Sequence, residues 1–274
     1  MINYAKIKFL GAAGTVTGSK FFIEVFGKSI LIDCGMFQGI KELRERNWEA
    51  LPVDVENIDI VLLTHGHLDH VGYLPRLLKQ GFKGKIVGTM PTLAIAEIIL
   101  KDSAKIHQEE AEKANKEKYT KHKPALPFYT IKDAESTIQH FQVELENKWI
   151  SYSDNISYRF QYNGHIIGAT FIELDINGKR LVFSGDIGRK EDYLLNDPKR
   201  PEWADILFIE STYGNKLHPK EDVENMISDI ILDTIYKNGN LIIPCFAVER
   251  LQTLMYILWK LYKKNKIPNI PIFV

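Results

Sequence analysis

Residues 58–63 form a run that is apolar except for Asp59, and it stops abruptly at Thr64-His65-Gly66-His67-Leu68-Asp69-His70. A run of this length and character reads as a strand buried inside a sheet. A sheet strand whose end is a chelating turn constrains this chain more than any other feature. Three imidazoles and a carboxylate within six residues suit a borderline-soft dication such as zinc. His65 and His67 stand two apart in an extended turn and so point to one side. Asp69 and His70 open a helix predicted over 69–79, closed by Gly81, and face the same pocket. Two ligands on each arm could serve two metals, each left short of a full shell.

Further ligands are expected from separate strand ends. His165 lies in the Gly-flanked turn 164–168, and Asp186 directly follows the predicted strand 180–184. Either alone reads as a turn or cap residue; beside the first cluster both become ligand candidates, with Asp186 as the carboxylate bridging two metals. Asp33 ends another strand and could orient a ligating imidazole from behind.

Around these residues the first half reads as short strands, 7–10, 21–25 and 29–32, punctuated by Gly11, Gly14, Gly18 and Gly27. A helix is expected over 91–118, then strands over 156–162, 170–175 and 180–184. The tail alternates strand 206–209, helix 223–236, strand 241–243, helix 247–264 and strand 271–274. This βαβαβ rhythm implies a parallel sheet. The sequence stops as its last strand forms, which reads as a C-terminally truncated fragment.

Composition removes whole classes. The 274 residues are 45% hydrophobic and carry 35 Lys+Arg against 35 Asp+Glu, so collagen-like, disordered and disulfide-scaffold readings are out. The apolar stretches are of strand length, short of the ~20 residues of a membrane helix, and no secretory signal opens the chain. With Cys34 and Cys245 alone, a cytoplasmic protein with free thiols that does not enter the membrane is the simplest reading. Lys113, Lys116, Lys118, Lys121 and Lys123 invite a nucleic-acid reading, but Glu109, Glu110, Glu112 and Glu117 lie among them, as on a solvated helix face. His107, His122 and His140 carry no motif and read as surface residues.

The His-x-His-x-Asp-His run with later His and Asp ligands resembles the metallo-β-lactamase superfamily. The stretches 209–215 (Ile-Glu-Ser-Thr-Tyr-Gly-Asn), 243–252 (Ile-Pro-Cys-Phe-Ala-Val-Glu-Arg-Leu-Gln) and the turn 11–19 are similar to motifs of its β-CASP nucleases. The resemblance implies an α/β fold: an αβ/βα sandwich over 1–209 followed by the beginning of a β-CASP parallel α/β domain over 210–274. It further implies that His65, His67 and His165 hold one Zn2+, that Asp69 and His70 hold a second, and that Asp186 bridges them. Glu210 would correspond to the acidic residue that supports a catalytic histidine. The implied activity is hydrolysis of single-stranded RNA, as an endonuclease or from the 5′ end, with homodimers common among similar proteins. Two further family histidines would follow the β-CASP insertion, and the sequence ends before either; His218 is not promoted to that role. A thioester or lactone hydrolase of the same fold explains the zinc motif but leaves the motifs after Glu210 unused. An inactive RNA-binding fragment is the reading from a different class.

Overall fold

The computed structural model describes residues 5–217 and 222–274; His218 lies outside them. Strands β1 (Lys6–Gly11), β2 (Lys20–Val25) and β3 (Lys28–Ile32) form the expected antiparallel meander. The short α1 (Lys41–Arg46) buries no residue, and β4 (Ile60–Leu62) then pairs in parallel with β3. The single helix expected over 69–79 is two, α2 (Leu68–Val71) and α3 (Leu74–Lys79). They part because the Tyr73 N–H leaves the helical ladder and donates to Cys34 O at 2.9 Å.

Strand β5 (Lys85–Gly88) leads into the 28-residue α4 (Met90–Glu117), and α5 (Ile131–Ile138) leads into β6 (Phe141–Val143). β3 to β6 run parallel and complete a six-stranded sheet in chain order. β5, β6 and α5 are not among the elements expected from the sequence. α5 starts on a capping box, the Thr130 hydroxyl accepting from Asp133 N and the Asp133 carboxylate from Thr130 N. A second sheet contains β7 (Ile150–Ser153), β8 (Ile156–Tyr162), β9 (Thr170–Ile176), β10 (Lys179–Phe183) and β11 (Ile206–Phe208), in the order β11-β10-β9-β8-β7. It is antiparallel except for β11, which pairs parallel to β10.

Side-chain alternation explains why 58–63 is apolar nearly throughout. Ile60 and Leu62 face the inter-sheet core with Ile30, Ile32, Phe160, Ile172 and Leu174. Val61 and Leu63 face the opposite way, into a second core with Leu74, Leu77, Leu93, Leu100 and Tyr129 from the helical side. A strand covered on both faces cannot alternate with polar residues. Each such side chain contributes roughly 1.5–3 kcal/mol by leaving water. On the outer face of the second sheet the guanidinium of Arg180 lies between the rings of Trp149 and Trp203, at 4.9 and 4.3 Å, beside the buried Glu173.

The chain divides into two compact units, Met1–Lys190 with Asp197–Glu210, and Glu191–Asn196 with Ser211–Val274. In the second, α6 (Val223–Tyr236) and α7 (Arg250–Lys263) meet through Ile231, Ile257, Leu258 and Leu261. Asp222 caps α6, and Glu224 ties it to Lys260 and Lys264 at 2.5 and 3.0 Å. The segments 241–243 and 271–274, expected as strands, belong to no sheet, so the parallel sheet read from the tail does not form among the described residues. Apolar runs become strands only where a neighbour supplies ladder hydrogen bonds, and β11, the first of the series, finds its neighbour in β10. No helix among the described residues is long and apolar enough to cross a membrane.

The two thiols are unpaired but differ in reach: Cys34 is buried and Cys245 exposed. Burial pushes the Cys34 thiol up to about 12, so almost none of it is thiolate at pH 8. Titration with a thiol reagent at pH 8 is expected to count one fast thiol per folded chain and two in guanidinium. Two fast thiols in the folded chain would contradict the packing around Cys34.

Candidate metal centre

The side chains of the site come from strand ends and from the helix that follows one of them. β4 delivers Thr64 and His65; His67 precedes α2, whose first turn carries Asp69 and His70. His165 sits in the turn after β8, and Asp186 just beyond β10. Ligand atoms of His65, His67, His165 and Asp186 all lie within 4.8 Å of one another. His67 Nδ1 is 3.1 Å from both His65 Nε2 and His165 Nε2, while Asp186 Oδ2 lies 3.8 and 3.5 Å from those two Nε2 atoms. Donors on a tetrahedral ion with bonds of about 2.0–2.1 Å sit roughly 3.3 Å apart. This donor set therefore fits a metal ion of that kind.

Asp69 and His70 stand beside this quartet. His70 Nε2 is 3.2 Å from Asp186 Oδ1 and 4.0 Å from Asp69 Oδ2. The two oxygens of Asp186 thus face different groups, Oδ2 the three-histidine cluster and Oδ1 the His70–Asp69 pair. Glu210 is not among these donors; its Oε1 accepts from Ile187 N at 3.1 Å, bracing the loop beside Asp186.

Behind the donors lies Asp33, 1% exposed and in the left-handed region at φ 56°. Its carboxylate accepts from Thr64 N at 2.8 Å and from Thr64 Oγ1 at 2.9 Å, and it lies 2.8 Å from His70 Nδ1. The His70 Nδ1–H donates to it, so Nε2 is turned into the site. With its hydrogen given to Asp33, the Thr64 hydroxyl accepts from His65 Nδ1–H at 3.0 Å, which likewise leaves His65 Nε2 for the centre.

The charges follow from this arrangement. Burial, reinforced by His70, holds His65 well below the ordinary imidazole range, and burial lowers His67 too. Both are therefore neutral, the form that ligates metal. Burial also works against a charged His70, but Asp33 and Asp186 outweigh it and raise this histidine well above the ordinary value. Burial would raise Asp186; His70, His65 and His165 hold its carboxyl far below the usual carboxylate range.

Five positioning residues carry no sequence signal strong enough to single them out. Thr64 is the residue before the motif, and its role needs Asp33, thirty-one positions away. Asn163 Nδ2 donates to the carbonyls of Ser184 and Asp186 at 3.0 and 2.7 Å, while its Oδ1 accepts from His165 N. One amide thus registers two ligand loops. Ser19 N donates to Asp69 O, and buried Lys20 donates Nζ to Gly18 O and Gly35 O at 3.1 and 2.5 Å. Burial pushes the Lys20 ammonium down to about 8. At Gly35 a Cβ would lie 1.5 Å from Asp69 O, so only glycine lets this loop back the ligand helix. His107 and His140, expected at the surface, are partly buried instead. His107 packs edge-on against Phe128 and Tyr129, and His140 Nδ1 donates to Gly84 O at 2.7 Å.

Comparison with known proteins agrees with this chemistry. The chain is 35% identical over 265 residues to ribonuclease TTHA0252 of Thermus thermophilus, covering 96% of this chain and 56% of that protein. It is 33% identical over 278 residues to cleavage and polyadenylation specificity factor 73 of Drosophila melanogaster, covering 98% and 38%. It is 31% identical over 281 residues to endoribonuclease YSH1 of Candida glabrata, covering 99% and 35%. The chain thus spans about half or less of the length of these curated relatives. The sequence profile of the metallo-beta-lactamase superfamily matches residues 14–223. With the His/Asp cluster at the ends of its sheet strands and this match over most of its length, the chain belongs to the metallo-beta-lactamase superfamily.

Proposed function

We propose that the protein is a zinc-dependent ribonuclease of the β-CASP branch, acting in the cytoplasm and hydrolysing phosphodiester bonds of single-stranded RNA, with residues 210–274 opening the β-CASP domain. The observation that carries this reading is the position of Asp186, whose two oxygens face the three-histidine cluster on one side and His70 with Asp69 on the other. His65, His67 and His165 would hold one ion, Asp69 and His70 the other, and Asp186 both. When bound, such an ion pair supplies Lewis acidity and a water that ionises near neutral pH.

The protein's own residues prepare this chemistry. Neutral His65 and His67 need lose no proton to ligate. Asp33 and Thr64 keep the Nδ1–H groups of His70 and His65 turned away from the reacting side. The depressed Asp186 stays an anion across the working pH range. Glu210, through Ile187 N, keeps the Asp186 loop in place, and it would serve as the carboxylate that supports a catalytic histidine. The RNA substrate is supported by the ribonuclease and endoribonuclease relatives.

The test is cleavage of end-labelled single-stranded RNA, with matched DNA and an Asp69→Ala control. RNA cleavage is expected, abolished by a chelator, restored by zinc, and lost in the control. Intact RNA alongside zinc-dependent hydrolysis of a thioester would overturn the nuclease reading and leave the metal centre standing.

A further inference from the structure

Helix α4 begins at the metal centre and ends far from it. Its N-terminal Thr89 and Thr92 hydroxyls donate to Gly168 O at 2.9 and 2.7 Å, three residues from His165, and Ile95 lies so close that it excludes any side chain at Gly66. From Ile95 the helix rises about 1.5 Å per residue, so its last turn is roughly 30 Å from the ligand loop. There the charge changes. Residues 113–123 contain Lys113, Lys116, Lys118, Lys121 and Lys123 against Glu117 alone, while the whole chain has no net charge.

Glu109, Glu110 and Glu112 precede these lysines on α4 but form no ion pair with them. Lys101 pairs with Glu97 and Lys105 with Glu109, but among the described residues none of the five lysines of 113–123 forms an ion pair, and all five are exposed. The loop is also held in shape. Lys118 caps α4 in the left-handed conformation, and the Asn115 amide donates to Ala125 O at 2.9 Å and accepts from Ala125 N at 2.7 Å. His122 N donates to the Thr120 hydroxyl at 3.2 Å. The loop borders an open surface hollow of about 340 Å³ lined by Ala114, Asn115, Lys118, Thr120, His122, Lys123 and Pro124. Tyr119 stands 63% exposed beside it.

Unpaired cations tracking a surface, an exposed aromatic ring and a pre-shaped concavity are the parts of a single-stranded nucleic-acid contact: lysines take the phosphates, and a ring stacks a base of any identity. We propose that this basic loop is a second RNA contact, engaging phosphates with Lys118, Lys121 and Lys123 and a base with Tyr119, so that a strand reaching the metal centre is also held some 30 Å away. This rests on the ribonuclease reading and names where that substrate is gripped. The loop reads no sequence; it favours RNA long enough to span both places.

The experiment measures binding of fluorescent 20-nucleotide and 4-nucleotide RNAs to the full chain and to two surface variants, Lys118→Ala/Lys121→Ala/Lys123→Ala and Tyr119→Ala. The triple variant is expected to bind the 20-mer roughly tenfold more weakly, with the log–log salt slope reduced by about 2, near 0.7 per lost contact. Tyr119→Ala is expected to weaken it about fivefold or more without changing the slope. Cleavage of the 4-mer should be unchanged in both. An unaltered 20-mer affinity and slope, in an enzyme that still cleaves RNA, would overturn the second contact and leave the ribonuclease reading intact. If the unmodified chain neither binds nor cleaves RNA, both readings fall. Loss of binding to phosphatidylserine vesicles without any change toward RNA would reassign the loop to lipid and likewise refute the proposal.

Discussion

Replacing Asp186 by alanine is expected to lower the hydrolytic rate by about 10³-fold or more while leaving the chain folded. The side chain offers an oxygen to each half of the centre, at 3.5 Å from His165 Nε2 and 3.2 Å from His70 Nε2. Removing it withdraws the shared anion, and several kcal/mol of charge stabilisation in the transition state correspond to three or more powers of ten in rate. The fold should tolerate the change, because the Asp186 side chain is 32% exposed and belongs to neither apolar core. Metal content gives an independent check, expected to fall from two equivalents toward one. A variant with the parental rate and two bound ions would refute the bridging role. One that keeps both ions yet loses the rate would mean that Asp186 acts on the substrate instead.

The second large effect is expected at Asp33. Alanine there strips the partner from the Thr64 N–H, the Thr64 hydroxyl and His70 Nδ1 together, all buried. Breaking a buried charged network by removing one member costs about 3–5 kcal/mol, a fall of roughly 10 °C in Tm for a unit of this size. Metal affinity is expected to drop about 10- to 100-fold, as for other groups that orient a ligating histidine. Asp33→Asn separates the two losses, since it keeps the shape but not the charge. The sign with pH is fixed by His70, whose folded value stands well above 6.5. Stability drawn from a raised histidine is fully present below pH 6.5 and is lost as the pH rises through the folded value. In metal-free protein the gap between the parent and Asp33→Asn is therefore expected to be wider at pH 6 than at pH 9. An equal gap at both would exclude the Asp33–His70 charge pair as its source.

The contrast between legible and hidden features runs along contact distance. The His65–His70 motif needs only its own six residues and a preceding strand, so it stood out at once. β2, β3 and β8 are legible from their apolar patterns, and α4 from the helically spaced apolar residues of its first half, Leu93, Ile95, Ile98 and Ile99. β5 and β6 lacked such a signal; they are strands because β4 gives β5 a parallel partner and β5 gives one to β6. The expected strands at 241–243 and 271–274 show the reverse, suitable residues without a neighbour to bond. The break between α2 and α3 is set by a single hydrogen bond to Cys34, from an element folded earlier in the chain.

The sequence by itself determined the chemistry on offer, imidazoles and carboxylates at strand ends beside glycines, because composition and short spacing are local properties. Only the tertiary structure decided how that chemistry is aimed: which nitrogen of His65 and His70 faces inward, which oxygen of Asp186 meets which arm, and that Thr64, Asn163 and Lys20 hold them there. Those choices rest on hydrogen bonds such as Thr64 to Asp33 and on close approaches such as Gly35 to Asp69. Such contacts exist only once two sheets have packed and brought distant turns to one edge. A buried polar group must find its partner wherever the fold places it.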